Sequence, residues 1–117
     1  MQLQLYGKKI WLYRDVVDFR CSIDGLSHLV ASSMKQSVKE GVFLFINRRR
    51  DKIKCLSWHK NGFILLYKRL EQGLFSTLGK GEGGAVELNM QEVNWLLAGL
   101  EWPKMREWQD LNYDKFS

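Results

Sequence analysis

Val42-Phe43-Leu44-Phe45-Ile46-Asn47-Arg48-Arg49-Arg50 is the stretch on which the reading of this chain turns. Five apolar residues follow one another without a polar break, at strand length, and three arginines end the run. Residues 52–59 and 63–70 are two further apolar, β-branched and aromatic runs, separated by Asn61-Gly62. Asn-Gly between such runs is the strongest short hairpin signal. A two-residue loop at Asn61-Gly62 sets Trp58 opposite Leu65, Leu56 opposite Tyr67 and Lys54 opposite Arg69. A type I turn with a glycine bulge starts at His59 and slips that register by one. Either way the three runs make an antiparallel meander, with the arginines at its first turn. Adjacent side chains alternate faces in a strand but fan out in a turn, which suits a diffuse polyanion contact better than a shaped pocket.

Outward from the meander, residues 9–13 read as a short strand and 14–21 as a polar connection. From Ser22 to about Lys39, Ile23, Leu26, Leu29, Val30, Met34 and Val38 recur at helical spacing, with Ser22 or Asp24 as N-cap and Gly41 as the stop. Gly25 in the first turn weakens a helix and suggests close approach of another backbone. Residues 79–84 read as a loop and 85–88 as a short strand. Asn89 caps a second helix with Glu92 as its capping-box partner. Met90, Val93, Leu96, Leu97 and Leu100 form its apolar stripe, and Trp102-Pro103 ends it. The expected fold is α+β: a small antiparallel sheet with two helices on one face. The chain is read as one domain over 1–117, its core at about 9–102 and a polar tail at 103–117.

Composition narrows the function classes. The chain has 117 residues, with 45% hydrophobic and 13% aromatic residues, too many for a disordered chain. No run reaches the about 18 apolar residues of a membrane span, and the first residues do not read as a secretory signal. Two cysteines make no disulfide framework, so a cytoplasmic setting is expected. Net charge is +5, and eight cations between Arg48 and Arg69 face only Asp51. Such a stretch is a polyanion footprint or a plain solvated face.

Catalytic and metal chemistry find little footing. Cys21, Cys55, His28 and His59 lack the local chelating spacing of a zinc site, so neither metal nor cofactor is expected. Asp15 and Asp18 read as turn residues. The loop Gly79-Lys80-Gly81-Glu82-Gly83-Gly84 lacks the Lys-Ser/Thr and following helix of a phosphate loop. Of Phe43, Phe45, Trp58, Phe63, Tyr67 and Phe75, at most one is expected to be exposed, because aromatic stripes on strands usually belong to the core.

The order of these features resembles a known family. Arg14, Val17-Asp18-Phe19-Arg20, Ser22, Asp24-Gly25-Leu26 and Leu29-Val30 come first. Asn47-Arg48-Arg49-Arg50, Ile53-Lys54, Leu56 and Trp58 follow, then Gly62-Phe63, Tyr67-Lys68-Arg69-Leu70-Glu71, Gly73 and Phe75. The pattern, from about residue 9 to 102, resembles the small TnpB accessory proteins encoded as the second reading frame of bacterial insertion sequences of family sixty-six. His59-Lys60 and Ser76-Thr77 depart from it, standing where acidic or glycine residues and a Trp-Pro are usual. The resemblance implies a role in transposition beside a larger transposase, with no catalytic residue to carry over. The expectation is therefore a non-enzymatic accessory protein that contacts DNA through Arg48, Arg49, Arg50, Lys52, Lys54, Lys68 and Arg69. The alternative is an adaptor for the larger transposase without DNA contact, with a homodimer open to it. A metal-dependent nuclease using Asp18 and Asp24 ranks well below both.

Overall fold

The protein is described by a computed structural model over residues 8–79 and 84–116, with side chains described as far as Asp110. The elements are β1 (Lys9–Val17), α1 (Ile23–Ser32), β2 (Gly41–Asn47), β3 (Lys52–His59), β4 (Gly62–Arg69), β5 (Ala85–Leu88), α2 (Met90–Leu97) and α3 (Trp102–Phe116). The strands form one sheet in the order β4-β3-β2-β1-β5. The meander β2-β3-β4 is antiparallel, β5 is antiparallel to β1, and β1 runs parallel to β2.

The opening stretch explains the layers. Every residue of β2 is buried. Phe43 and Phe45 pack with Leu56 against Leu26, Val30 and Met34 of the α1 side. Val42, Leu44 and Ile46 pack with Ile53 and Cys55 against Val93, Leu96 and Trp102 of the α2–α3 side. A continuous apolar strand is one that is covered on both faces. Full burial of each such side chain stabilises the fold by about 1.5–3 kcal/mol.

The α+β class holds, and several details differ from the sequence reading. The sheet is mixed, because β1 returns to β2 through α1, and a helical crossover delivers a parallel strand. Among the described residues three helices lie on two faces, instead of two on one. β1 continues through Arg14 to Val17, where a polar connection was expected. α1 stops at Ser32, and Lys35 at φ 56° turns the chain away. Gly41 is not that stop. It lies in β2, where a Cβ would fall 2.9 Å from Phe43 Cζ and 3.3 Å from the Lys9 carbonyl. Ser22, not Asp24, is the N-cap, its Oγ accepting from the Gly25 N–H at 3.3 Å. At Gly25 a Cβ would have as its nearest neighbours the side chains of Cys21 and Ser22, not another backbone. The close approach is at Gly84, where a Cβ would lie 1.9 Å from the Ser33 carbonyl oxygen.

The hairpin takes neither expected register. Its loop is Lys60-Asn61, with Lys60 at φ 54°, and Trp58 pairs with Phe63, Leu56 with Leu65, and Lys54 with Tyr67. This shift sets the Trp58 and Phe63 rings edge to face at 4.9 Å, a cross-strand contact worth about 0.5–1.5 kcal/mol beyond area burial.

At the C-terminal side, β5 and the Asn89–Glu92 capping box are as the sequence suggests. Trp102-Pro103 opens a third helix instead of ending the second. Proline suits a first helical turn, where its missing N–H is not needed. Trp102 is fully buried and its indole N–H donates to the Ser76 carbonyl at 2.9 Å. Residues 103–116 are thus helical where a polar tail was expected.

Candidate nucleic-acid interface

Parallel pairing of β1 with β2 brings their C-terminal ends to the same end of the sheet, with Val17 beside Asn47. The start of β3 and the end of β4 lie there too, with Lys52 opposite Arg69. Neighbouring strands are about 4.8 Å apart, so the four strand ends span roughly 15 Å. That end carries Arg20, Arg48, Arg49, Arg50, Lys52 and Arg69, and the carboxylates of Asp18, Asp51 and Glu71.

The arginine turn is braced from below. Asn47 Nδ2 donates to Asp51 Oδ1 at 2.7 Å, and Asn47 Oδ1 accepts from the Lys52 N–H at 2.9 Å. The Arg50 N–H donates to the Asn47 carbonyl, and the Arg50 carbonyl accepts from Phe75 N–H at 2.6 Å. Arg50 sits at φ 62°, in the left-handed region. Arg48, Arg49 and Arg50 are all exposed. Among the described residues no carboxylate lies within ion-pair distance of them or of Lys52. Asp18 and Asp51 feel them at longer range. The Asp18 carboxyl is held well below the usual carboxylate range, first by its hydrogen bonds from Arg20, with a smaller contribution from Arg48. Asp51 is lowered first by its hydrogen bond from Asn47, with Lys52 and Arg49 adding to it.

The remaining expected contact residues are engaged elsewhere. Lys54 Nζ donates to the Phe19 carbonyl at 3.0 Å and lies 4.6 Å from the centroid of the Phe19 ring. Lys68 Nζ donates to the Leu97 carbonyl at 2.7 Å, at the C-terminal end of α2. Arg69 pairs with Glu71 at 2.9 Å. Lys60, the last of the eight cations, sits at the opposite end of the hairpin, about 25 Å away along the strands. Arg20, which charge counting over 48–69 passed over, joins this end and pairs with Asp18 at 2.5 Å. Its presence follows from the β1–β2 pairing and had no local signal. Tyr67 is the exposed aromatic of the six considered; Phe43, Phe45 and Phe75 are buried, and Trp58 and Phe63 half-buried.

The groups weighed for other chemistry are dispersed. Cys55 is buried in the α2-side core, and burial pushes its thiol up to about 12, away from nucleophile range. Cys21 packs on the opposite face of the sheet, and His28 and His59 are exposed. Among the described residues no three His, Cys, Asp or Glu gather as metal ligands. Asp18 closes a turn by accepting from the Arg20 N–H, and Asp15 accepts from its neighbour Val16. Of the loop 79–84, residues 80–83 lie outside the described residues. Among the described residues no helix is long and apolar enough to cross a membrane.

Fold and surface together define a small mixed-sheet α+β fold with an arginine turn at one end of its sheet. Comparison with known proteins gives that class its place. Residues 8–107 match the family described as IS66 Orf2 like protein, so the chain belongs to this family of insertion-sequence accessory proteins of transposition. The uncharacterized protein y4jC of Sinorhizobium fredii (strain NBRC 101917 / NGR234) is 34% identical over 101 residues, covering 86% of each chain. The uncharacterized protein y4hO of the same strain is 28% identical over 100 residues, covering 85% of this chain and 86% of its own. No solved structure matches.

Proposed function

We propose that this protein serves transposition as a non-enzymatic, DNA-contacting accessory, with Arg48, Arg49, Arg50 and Lys52 as its phosphate contacts. The observation that supports this is the braced turn. Three exposed guanidiniums share one short loop and have no carboxylate partner among the described residues, while Lys54, Lys68 and Arg69 are held by carbonyls or by Glu71. An arginine cluster without carboxylate partners has its donors free for phosphate oxygens, and such contacts carry no base sequence. Lys54, Lys68 and Arg69 thus become a secondary rim in this reading.

An anisotropy titration of duplex and single-stranded DNA at several salt concentrations tests it. Four phosphate contacts on duplex DNA give a slope of about −3.6 in log affinity against log salt. Absence of binding at 50 mM salt, or binding indifferent to alanine at Arg48, Arg49 and Arg50, rejects the proposal. A second reading, an adaptor docking on the larger transposase, draws on Met90, Leu100 and Trp108, large apolar side chains exposed on and between α2 and α3. Co-purification with that transposase after nuclease treatment favours it over direct DNA contact.

A further inference from the structure

The outer edge of β4 stands without a partner strand among the described residues, although β4 is eight residues long and pairs with β3 without a bulge. The Leu70 N–H donates to the Asp51 carbonyl, which fixes the phase of the β3–β4 ladder. By alternation, Gly62, Ile64, Leu66 and Lys68 bond inward to β3, and Phe63, Leu65, Tyr67 and Arg69 turn their N–H and C=O groups outward. Long apolar edges of this kind invite another strand unless charge or a bulge blunts them. Here Lys68 and Arg69 blunt one end only. Ile64 and Tyr67 are large apolar side chains exposed on opposite faces of this edge.

We infer that β4 pairs antiparallel with β4 of a second copy, around a two-fold axis at Leu65. The strand is self-complementary in that register. A two-fold perpendicular to the sheet keeps like faces together, so only registers pairing odd residues with odd ones are open. Centring on Leu65 sets Tyr67 against Phe63 of the second copy on the α1 face, extending the Trp58–Phe63 aromatic contact. On the other face Ile64 meets Leu66 of the second copy. Leu66 helps line an open apolar cavity of about 480 Å³ with Leu44, Ile53, Cys55 and Leu97, which gives the incoming Ile64 somewhere to go. Lys68 falls opposite Gly62 and Arg69 opposite Asn61, so no cation faces a cation. Centring on Leu66 instead sets Ile64 against Lys68, and Phe63 against Arg69, which wastes the apolar match. This inference does not rest on the DNA reading.

Two copies at +5 each repel, and an eight-residue edge falls short of the about 800 Å² per partner of a standard interface. The pair is therefore weak and reversible, with a dissociation constant on the order of 10–100 μM, and it tightens as salt screens the charge. DNA binding has the opposite salt dependence, which separates the two proposals.

Sedimentation equilibrium on the full chain, from 5 to about 500 μM at low and high salt, is the test. A monomer–dimer equilibrium that strengthens with salt is expected. Ile64→Lys brings an ammonium diagonally next to Lys68 of the second copy, and Leu65→Pro removes an outward N–H while leaving the inward ladder alone. Each should weaken dimerisation at least tenfold while the circular dichroism spectrum stays unchanged. If Leu65→Pro fails to fold, Ile64→Lys decides alone. A chain that stays monomeric throughout, or a dimer indifferent to Ile64→Lys, overturns the inference.

Discussion

Arg106 and the arginines of the β2–β3 turn show what separates a cation that builds the fold from one left for a partner. Arg106 is about one-third exposed and forms an ion pair with Glu92. It also donates to the Glu87 carbonyl at 2.8 Å and lies 5.2 Å from the centroid of the Trp102 ring. Its charge is neutralised, two of its three nitrogens are engaged, and its side chain joins α3 to α2 and β5. Arg48, Arg49 and Arg50 have none of these ties among the described residues; only the backbone beneath them is fastened. Counting cations in the sequence treats both groups alike, whereas their neighbours do not. Lys54 and Lys68 fall between, since each holds a backbone carbonyl and retains a formal charge.

The contrast breaks most visibly at the buried end. Trp102→Ala removes a fully buried ring and orphans the Ser76 carbonyl, and should lower unfolding free energy by about 4 kcal/mol in a urea melt. Glu92→Ala strips the capping box and leaves Arg106 without its carboxylate, and should cost about 3 kcal/mol. Both variants should leave DNA affinity unchanged wherever they remain folded.

The same pair predicts an acid sensitivity. Burial raises the Glu92 carboxyl, but its hydrogen bonds from Arg106 and the Asn89 N–H outweigh this and hold it below its ordinary value. A carboxylate so lowered stabilises the fold above its unfolded pKa, and that contribution disappears as pH falls through the lower folded value. Melts should therefore lose stability below about pH 4.3, and Glu92→Gln should flatten that loss.

At the exposed end the outcome inverts. Changing Arg48, Arg49 and Arg50 together to alanine should shift stability by less than about 0.5 kcal/mol. On the proposed function it should also reduce the salt slope of duplex binding by roughly 2.7. Arg50→Gly alone releases a left-handed backbone position and should stabilise the fold by up to about 1 kcal/mol, again in a urea melt.

How far the sequence could be read depended on the range of each interaction. The Asn89–Glu92 box, the Ser22 cap and the three-strand meander are written within a few residues of one another, and they were readable. β1 pairs with a strand some thirty residues on, and its parallel direction is set by how α1 packs, which no local pattern records. The unbroken apolar run of β2 carried a sign of burial on both faces, but one covered face was read. α3 was missed because its anchors, the buried Trp102 and the partly exposed Arg106, are an aromatic next to a proline and a charge, not an apolar stripe. The hairpin slipped because Asn61-Gly62 was weighed as a turn signal alone, and the Trp58–Phe63 contact accompanies a loop one residue earlier. The candidate interface suffered likewise. The arginine turn stood out as a run of like residues, whereas the engagement of Lys54, Lys68 and Arg69 rests on Phe19, Leu97 and Glu71, invisible until the chain is folded.

The bracing of the arginine turn has a consequence for how it would meet any polyanion. Its backbone is fastened by Asn47, Asp51 and the Phe75 amide, while each guanidinium stands at the end of a long aliphatic chain with no carboxylate partner among the described residues. Ordering entropy is then charged only to those side chains and not to the loop, and the tips can adjust to irregular anion spacings without reshaping the sheet below. On the proposed function, such a mount would accept bends, junctions and strand ends alike.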